Sequence, residues 1–313
     1  MINTLVKLIP FKKEILQYGA SLKVDARNAL ETKFYNRLST TIANENEKDI
    51  VLTTNLGISD TYKVLLPIGK APSSYLFGIP DDYRGERTVL YLSKYLANHC
   101  DAIADIGANW GFYSYFMAKH SQKPIYYFEP NTELYDNIVM NIKNHDLQNR
   151  VIGSSQAVAA KSGALSFYIN LTDNSSSSLS SYFENKGHKT KLITLDAISF
   201  NDFTAKHHYK SWLVKVDIED AEFQFLEGAE QAMQQGVLKY LIIELLENAR
   251  KNKFIDKMIE KGWHAYYLND YHIEYVSKED GRYTAPEYNW LFCKETPHEL
   301  RNLLHQTRFS VID

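Results

Sequence analysis

The sequence predicts an α/β fold with a doubly wound, mostly parallel sheet, and three observations lead there. From residue 101 onward short apolar runs alternate regularly with helical periods. The run Ala104-Asp105-Ile106-Gly107-Ala108-Asn109-Trp110-Gly111 passes from strand to helix through two close glycines, before the helical pattern of Phe112, Tyr115, Phe116 and Lys119. Ile125-Tyr126-Tyr127-Phe128 then reads as a second strand, ending in Glu129-Pro130 at the spacing of a βαβ unit.

Taken in order, residues 1–98 read as an N-terminal extension of helices plus a hairpin, suited to a cap or to a homo-oligomer contact. Met1, Leu5, Val6, Leu8, Ile9, Phe11, Ile15 and Leu16 lie between lysines, too interrupted for a signal peptide and too short for a membrane span. Such an amphipathic segment can rest on its own domain, on a partner subunit or on a membrane surface. Val51–Thr54 and Tyr62–Leu66, joined through Asn55–Asp60, suggest a hairpin. Pro67, Gly69, Pro72, Gly78, Pro80 and Gly85 punctuate a loop-rich passage. Val89, Leu92, Tyr95 and Leu96 give Thr88–Leu96 a helical period.

Residues 99–295 form the main predicted domain, with 296–313 as a tail. Leu134, Ile138 and Ile142 make the core stripe of the helix after Glu129. Gln156–Ala159 reads as a third strand end, Leu165–Ile169 as a strand or hairpin arm, and Lys191–Asp196 as the strand after a serine-rich loop. Leu213–Ile218 and Tyr240–Leu245 are buried strands; Trp263–Leu268, His272–Val276 and Asn289–Lys294 complete the sheet.

The glycine turn and Glu129 together point to a ribose-bearing cofactor, because a carboxylate at that strand end can grip ribose hydroxyls. A dinucleotide fingerprint needs G-x-G-x-x-G, and here Gly107 is followed by Asn109 and then Gly111. The middle glycine is absent, and Asp105 ahead of the turn would repel phosphate while suiting a cationic or amine-bearing ligand. S-adenosylmethionine has a sulfonium, an amino group and no phosphate. Asp105, Gly107, Asn109, Gly111 and Tyr113 are expected around its methionine end, Glu129 and Pro130 at the ribose, and Gln156 and Ala157 beside the adenine. The alternatives are a glycine turn that binds nothing and an NAD-dependent oxidoreductase.

Four segments give the chain a resemblance to the FkbM family of S-adenosylmethionine-dependent methyltransferases, within the wider class I group. They are Asp105–Ser114, Phe128-Glu129-Pro130-Asn131, the serine loop Asp173–Leu179, and Val214-Lys215-Val216-Asp217-Ile218-Glu219-Asp220-Ala221-Glu222. The resemblance covers about residues 99 to 295. It implies a Rossmann-like, mostly parallel seven-stranded sheet with an antiparallel last strand, and a sugar or glycan hydroxyl as acceptor, which could be lipid-linked. One departure stands out: the family usually has glycine where this chain has Asp220.

Methyl transfer to an alcohol requires removal of a proton, by a base or with the help of a divalent cation. Asp217, at the end of an apolar strand, and Glu219 behind it are the expected catalytic carboxylates, and Asp217 also counts among the cofactor contacts. His188, beside the serine loop, is a third candidate base. Asp217, Glu219 and Glu244 could hold magnesium, although no spacing in the sequence demands a metal. Glu219, Asp220 and Glu222 equally suit a helix N-terminus, and Lys215 needs a carboxylate partner if its strand is buried.

Composition agrees with a globular enzyme of this kind. The chain has 313 residues, 44% of them hydrophobic, and a formal net charge of −3, which disfavours nucleic acid as the substrate. Cys100 and Cys293 match no metal spacing and fit a reducing, cytoplasmic setting. The function expected from sequence is an O-methyltransferase; a catalytically silent scaffold of the same fold in a glycan-assembly complex is the alternative.

Overall fold

The computed structural model describes residues 12–21, 34, 38, 51–54, 64–67, 84–171, 177–179, 181–245, 248–269, 271–277 and 289–312. The N-terminal run up to Phe11, the loop-rich passage 68–83 and Asp173–Ser176 of the serine loop lie outside them. Two compact units are distinguished: Met1–Tyr83 with Asp136–Leu147, and Arg84–Tyr135 with Gln148–Asp313. Among the described residues no helix is long and apolar enough to cross a membrane.

The first unit holds α1 (Lys12–Ser21), β1 (Val51–Thr54) and β2 (Val64–Pro67). The two strands pair antiparallel with Val51 opposite Pro67, as the hairpin pattern predicts. Leu65 turns its outer backbone groups to a side chain: its N–H donates to Asn141 Oδ1 at 2.7 Å, and its carbonyl accepts from Asn141 Nδ2 at 3.0 Å. A fully buried amide thereby does what a third strand would do, satisfying both groups of a strand edge.

The second unit begins with α2 (Arg84–Leu96), then β3 (Ala102–Ile106), α3 (Phe112–His120), β4 (Ile125–Phe128), the helix α4 (Thr132–Asn144) that runs on into the first unit, β5 (Val151–Ser154), β6 (Ala157–Val158) and β7 (Gly163–Asn170). It continues through α5 (Tyr182–Asn185), β8 (Thr190–Ile198), α6 (Phe200–Ala205), β9 (Trp212–Val216), α7 (Glu222–Gly228), α8 (Glu230–Gln234) and β10 (Leu238–Glu244). Last come α9 (Asn248–Glu260), β11 (His264–Asn269), β12 (His272–Val276), β13 (Asn289–Cys293), α10 (Pro297–Leu304) and β14 (Ser310–Ile312).

The main sheet has the order β14-β12-β11-β13-β10-β9-β3-β4-β5, nine strands where the sequence predicts seven. It is parallel from β10 to β5, and β13 runs antiparallel between β10 and β11. Two strands account for the difference. β5 carries a half-exposed, mixed pattern, and β14 lies in the stretch read as a tail, where a Thr296–Glu299 capping box starts α10 and leads β14 back beside β12. A second correction concerns Ala157-Val158, which does not extend the main sheet. It pairs with β8 in a separate sheet of order β6-β8-β7. The strand's last residues leave the first sheet and enter another, which no local period reveals.

β3, β4 and β9 are buried on both faces, as their largely apolar sequences require, with Asp105 and Lys215 as the exceptions. Under them lies an aromatic cluster. The Phe203 ring sits 5.4 Å from Tyr126, 4.9 Å from Phe128, 5.3 Å from Trp212 and 4.6 Å from His207. Burial holds the His207 imidazole below its ordinary pKa. Phe203→Ala should destabilise the protein by about 3–5 kcal/mol, the usual result of emptying an aromatic core site. Chemical denaturation checks this, and a shift below about 1 kcal/mol would mean that the cluster is not part of the folding core.

Candidate functional site

Strand order reverses between β3 and β9: from β3 the chain winds outward to β5, and from β9 outward to β10. Ligands in open parallel sheets bind outside the carboxyl ends of the strands at such a point. A cleft of about 560 Å³, partly open to solvent, lies there. Its wall is made by Ile106, Gly107 and Asn109 after β3, Phe128, Glu129 and Pro130 after β4, Leu134, Gln156, Ala157 and Val158, Phe167, Ser177 and Leu179, and Asp217, Ile218 and Glu219 after β9.

Close approach between strand ends dictates the turn. Gly107 has φ +80°, and a Cβ there would stand 1.8 Å from the Asp217 carbonyl oxygen. The Asp217 N–H in turn donates to the Ile106 carbonyl at 2.9 Å. Glycine is therefore required at 107 by the neighbouring strand's backbone. Asn109 takes the left-handed conformation at φ +55°, which asparagine tolerates better than most side chains. Gly111, at φ +79°, starts α3, and its near neighbour is the Tyr115 ring rather than the cleft.

Glu129 is the best-held carboxylate of the wall. Its Oε2 accepts from the Asn109 N–H and its Oε1 from the Asn131 N–H, both at 2.8 Å. Only 5% of the residue is exposed, and burial outweighs the two hydrogen bonds, so the carboxyl pKa is pushed up to about 8. A ligand that donates hydrogen bonds to this carboxyl would favour its charged form.

On β9, Lys215 Nζ donates to Asp217 Oδ2 at 3.0 Å, the carboxylate partner that its buried strand calls for. Lys215 stands in register with Asp105 of β3. Asp105 is fully buried behind the cleft and accepts from Ser114 Oγ at 2.7 Å. Burial raises its pKa and Lys215 opposes that shift.

The serine segment reaches the same place from the small sheet. Ser178 bridges to Tyr168 through two backbone hydrogen bonds, at 2.8 and 3.0 Å. Its hydroxyl donates to the Glu219 carbonyl. Ser177 and Leu179, on either side, face the cleft. Glu219 and Asp220 are both left-handed, at φ +51° and +77°, and Arg250 makes an ion pair with Asp220.

The fold thus brings Gly107, Asn109, Glu129, Pro130, Gln156, Ala157, Asp217 and Glu219 to one wall. It sets Asp105, Gly111, Tyr113 and His188 outside that wall. Tyr113 is buried in α3, where burial raises its phenol pKa. His188 meets Asn170 Nδ2 through Nδ1 at 3.0 Å. Among the described residues no three His, Cys, Asp or Glu side chains group as a metal site, so Asp217, Glu219 and Glu244 do not converge on a cation. Sequence reasoning missed the apolar wall of Phe128, Leu134, Val158 and Phe167, because each reads as ordinary core.

Residues 105–306 match the Methyltransferase FkbM domain family. The hexuronic acid methyltransferase AglP of Haloferax volcanii is 26% identical over 168 residues, covering 52% of this chain. The match spans 64% of that protein, just under two thirds of its length. A solved methyltransferase FkbM from Methylobacillus flagellatus superposes with a TM-score of 0.42 at 11% identity, covering 90% of this chain and 57% of that one. The O-methyltransferase from Bacillus cereus, solved with SAH, gives 0.35 at 10% identity, covering 68% and 80%.

Two outcomes follow from this geometry. Gly107→Ala adds a clash with a backbone oxygen to a left-handed penalty and should lower unfolding free energy by about 3 kcal/mol; unchanged stability would contradict the close approach. Glu129 titrates at about 8 when folded against an ordinary 4.5, so folding favours its protonated form. Its contribution is fully present below about 4.5 and is lost as pH rises toward 8. In Glu129→Gln the decline of stability over that window should flatten, and denaturation curves collected across the window measure it.

Proposed function

The chain belongs to the FkbM methyltransferase domain family, and on that premise we propose that it is an S-adenosylmethionine-dependent O-methyltransferase acting on a hydroxyl of a sugar or glycan. The observation that carries this reading is the acidic character of the cleft wall. Among the described residues it holds three acidic side chains, Glu129, Asp217 and Glu219, and no lysine, arginine or histidine, with apolar side chains for most of the rest. Such a wall suits a cationic, phosphate-free ligand with an aromatic base and opposes a pyrophosphate.

When bound, S-adenosylmethionine supplies a methyl group already activated on a sulfonium. The protein's own tasks are to bind, orient and remove a proton. Glu129 would accept hydrogen bonds from the ribose hydroxyls. Phe128, Leu134, Val158 and Phe167 would hold the adenine, with Gln156 available to its polar edge. Asp217 and Glu219 stand where positive charge is favoured, and either can take the proton of an acceptor hydroxyl as the new bond forms. His188, held outside the wall by Asn170, is the reserve candidate for that base. The sugar acceptor is supported by a relative named for a hexuronic acid.

Calorimetric titration with S-adenosylmethionine, S-adenosylhomocysteine and NAD tests the cofactor. Micromolar binding of the two adenosyl ligands is expected, and NAD should not bind. Asp217→Asn should weaken S-adenosylmethionine more than S-adenosylhomocysteine, since only the former carries the sulfonium charge. Because Glu129 is mostly protonated at pH 7, binding should release close to one proton, read from the dependence of the heat on buffer ionisation enthalpy. That release should vanish in Glu129→Gln. Labelled methyl transfer to cell-envelope glycans tests the acceptor, and label found only in protein or RNA would overturn the sugar assignment.

A further inference from the structure

Glu219 and Asp220 are consecutive residues in the left-handed region, at φ +51° and +77°. Neither is glycine, and an L side chain opposes that conformation at each position. Something outside the turn must hold it, and three contacts do so. Ser178 Oγ donates to the Glu219 carbonyl. The Asp220 N–H donates to Glu222 Oε1 at 2.9 Å. Arg250, from the first turn of α9, makes an ion pair with the Asp220 carboxylate while its guanidinium lies 5.7 Å from the centre of the Phe223 ring.

Of these, the Arg250 contact bears on the largest electrostatic demand. The Asp220 side chain is only 12% exposed, and Glu222 beside it is buried, with its carboxyl pKa pushed up to about 7. Arg250 is the cation that acts against both effects, since it pairs with Asp220 and opposes the upward shift of Glu222. Without it two buried acids would face each other in a turn that already prefers to relax. The residue on the other side of that turn is Glu219, which lines the cleft wall.

We propose that Arg250 is a positioning residue for the acceptor side of the cleft: acting through Asp220, it locks the left-handed Glu219–Asp220 turn and so keeps the Glu219 carboxylate in the wall. The lock replaces, with an ion pair, the conformational freedom that a glycine at 220 would supply. The acceptor-side role rests on the methyltransferase reading given above; the lock itself does not.

The test uses the full chain and the variants Arg250→Met, Arg250→Lys, Asp220→Gly and the double variant Asp220→Gly with Arg250→Met. Hydrogen–deuterium exchange over residues 216–226, with S-adenosylhomocysteine present, needs no acceptor. Arg250→Met should exchange at least tenfold faster there than wild type and Arg250→Lys to an intermediate degree. The double variant should return to within about threefold of wild type, because glycine takes φ +77° without a lock. Calorimetry should find S-adenosylhomocysteine affinity within about threefold of wild type in every variant, the scatter expected when no ligand contact is removed. Methyl transfer to a hexuronic acid glycoside should fall about tenfold in kcat for Arg250→Met and recover in the double variant, the change that misplaced positioning groups bring.

Unchanged exchange in Arg250→Met, or a double variant as loose as the single one, would overturn the lock. Loss of S-adenosylhomocysteine affinity in step with transfer would make Arg250 a support of the whole domain and also overturn it. Failure of the wild type to methylate any acceptor would tell against the proposed function instead, while the exchange data still decide whether the lock exists.

Discussion

At Gly107 the ends of β3 and β9 approach so closely that a methyl group would overlap the Asp217 carbonyl oxygen. That contact sets the width of the crevice. With the Asp217 N–H on Ile106 and the Gly107 and Ala108 N–H groups both on Phe128 at 3.0 Å, three strand ends are fixed to one another by their backbones. Side chains that follow them have little freedom in where they emerge. Glu129 leaves β4 opposite the turn that presents the Asn109 N–H, and Asp217 leaves β9 beside Gly107. The carboxylates therefore face a common space because parallel strands in register end at a common level.

Charge is distributed in two layers beneath that space. Asp105 and Lys215 lie side by side inside the sheet, and Lys215 reaches up to Asp217 at the wall. A buried lysine with no carboxylate would be expensive, and a buried aspartate equally so; together they allow charged residues inside an otherwise apolar pair of strands. Glu129 is held by backbone N–H donors, with Lys215 acting on it only weakly, and burial raises its carboxyl well above the usual glutamate range. The pair inside the sheet and the weakly compensated Glu129 are different instruments. The first supports structure, and the second is poised to respond to what enters the cleft.

Much of this was legible in the chain. Gly107, Asn109 and Glu129 announced a strand, a turn and a ligand-facing acid through identity and spacing, because β-strands and tight turns impose local rules that residues obey wherever the fold takes them. Lys215 in an apolar strand announced its need for a carboxylate. Other expected residues lie away from the cleft wall for a physical reason. Asp105 reads as a site residue from its place ahead of the turn, yet its side chain points behind the cleft to Ser114, and strand alternation alone does not say which face is the ligand's. Tyr113 lies within α3 and Gly111 at its N-cap, where the helix sets their direction. Ala157 and Val158 reach the wall from a second sheet, whose pairing joins residues about forty positions apart and leaves no local period.

The sequence by itself determined the fold class, the switch-point turn and its acidic partner, because alternating apolar runs, left-handed glycines and strand-end carboxylates follow from covalent geometry and burial acting over short stretches. Only the tertiary structure decided the rest. The nine-stranded sheet depended on weakly patterned edge strands finding partners. The serine segment came to rest on Glu219, and Arg250 came to hold Asp220, through contacts between residues 41 and 30 positions apart. Such contacts arise from the packing of whole elements, and a linear chain carries no record of them until those elements meet.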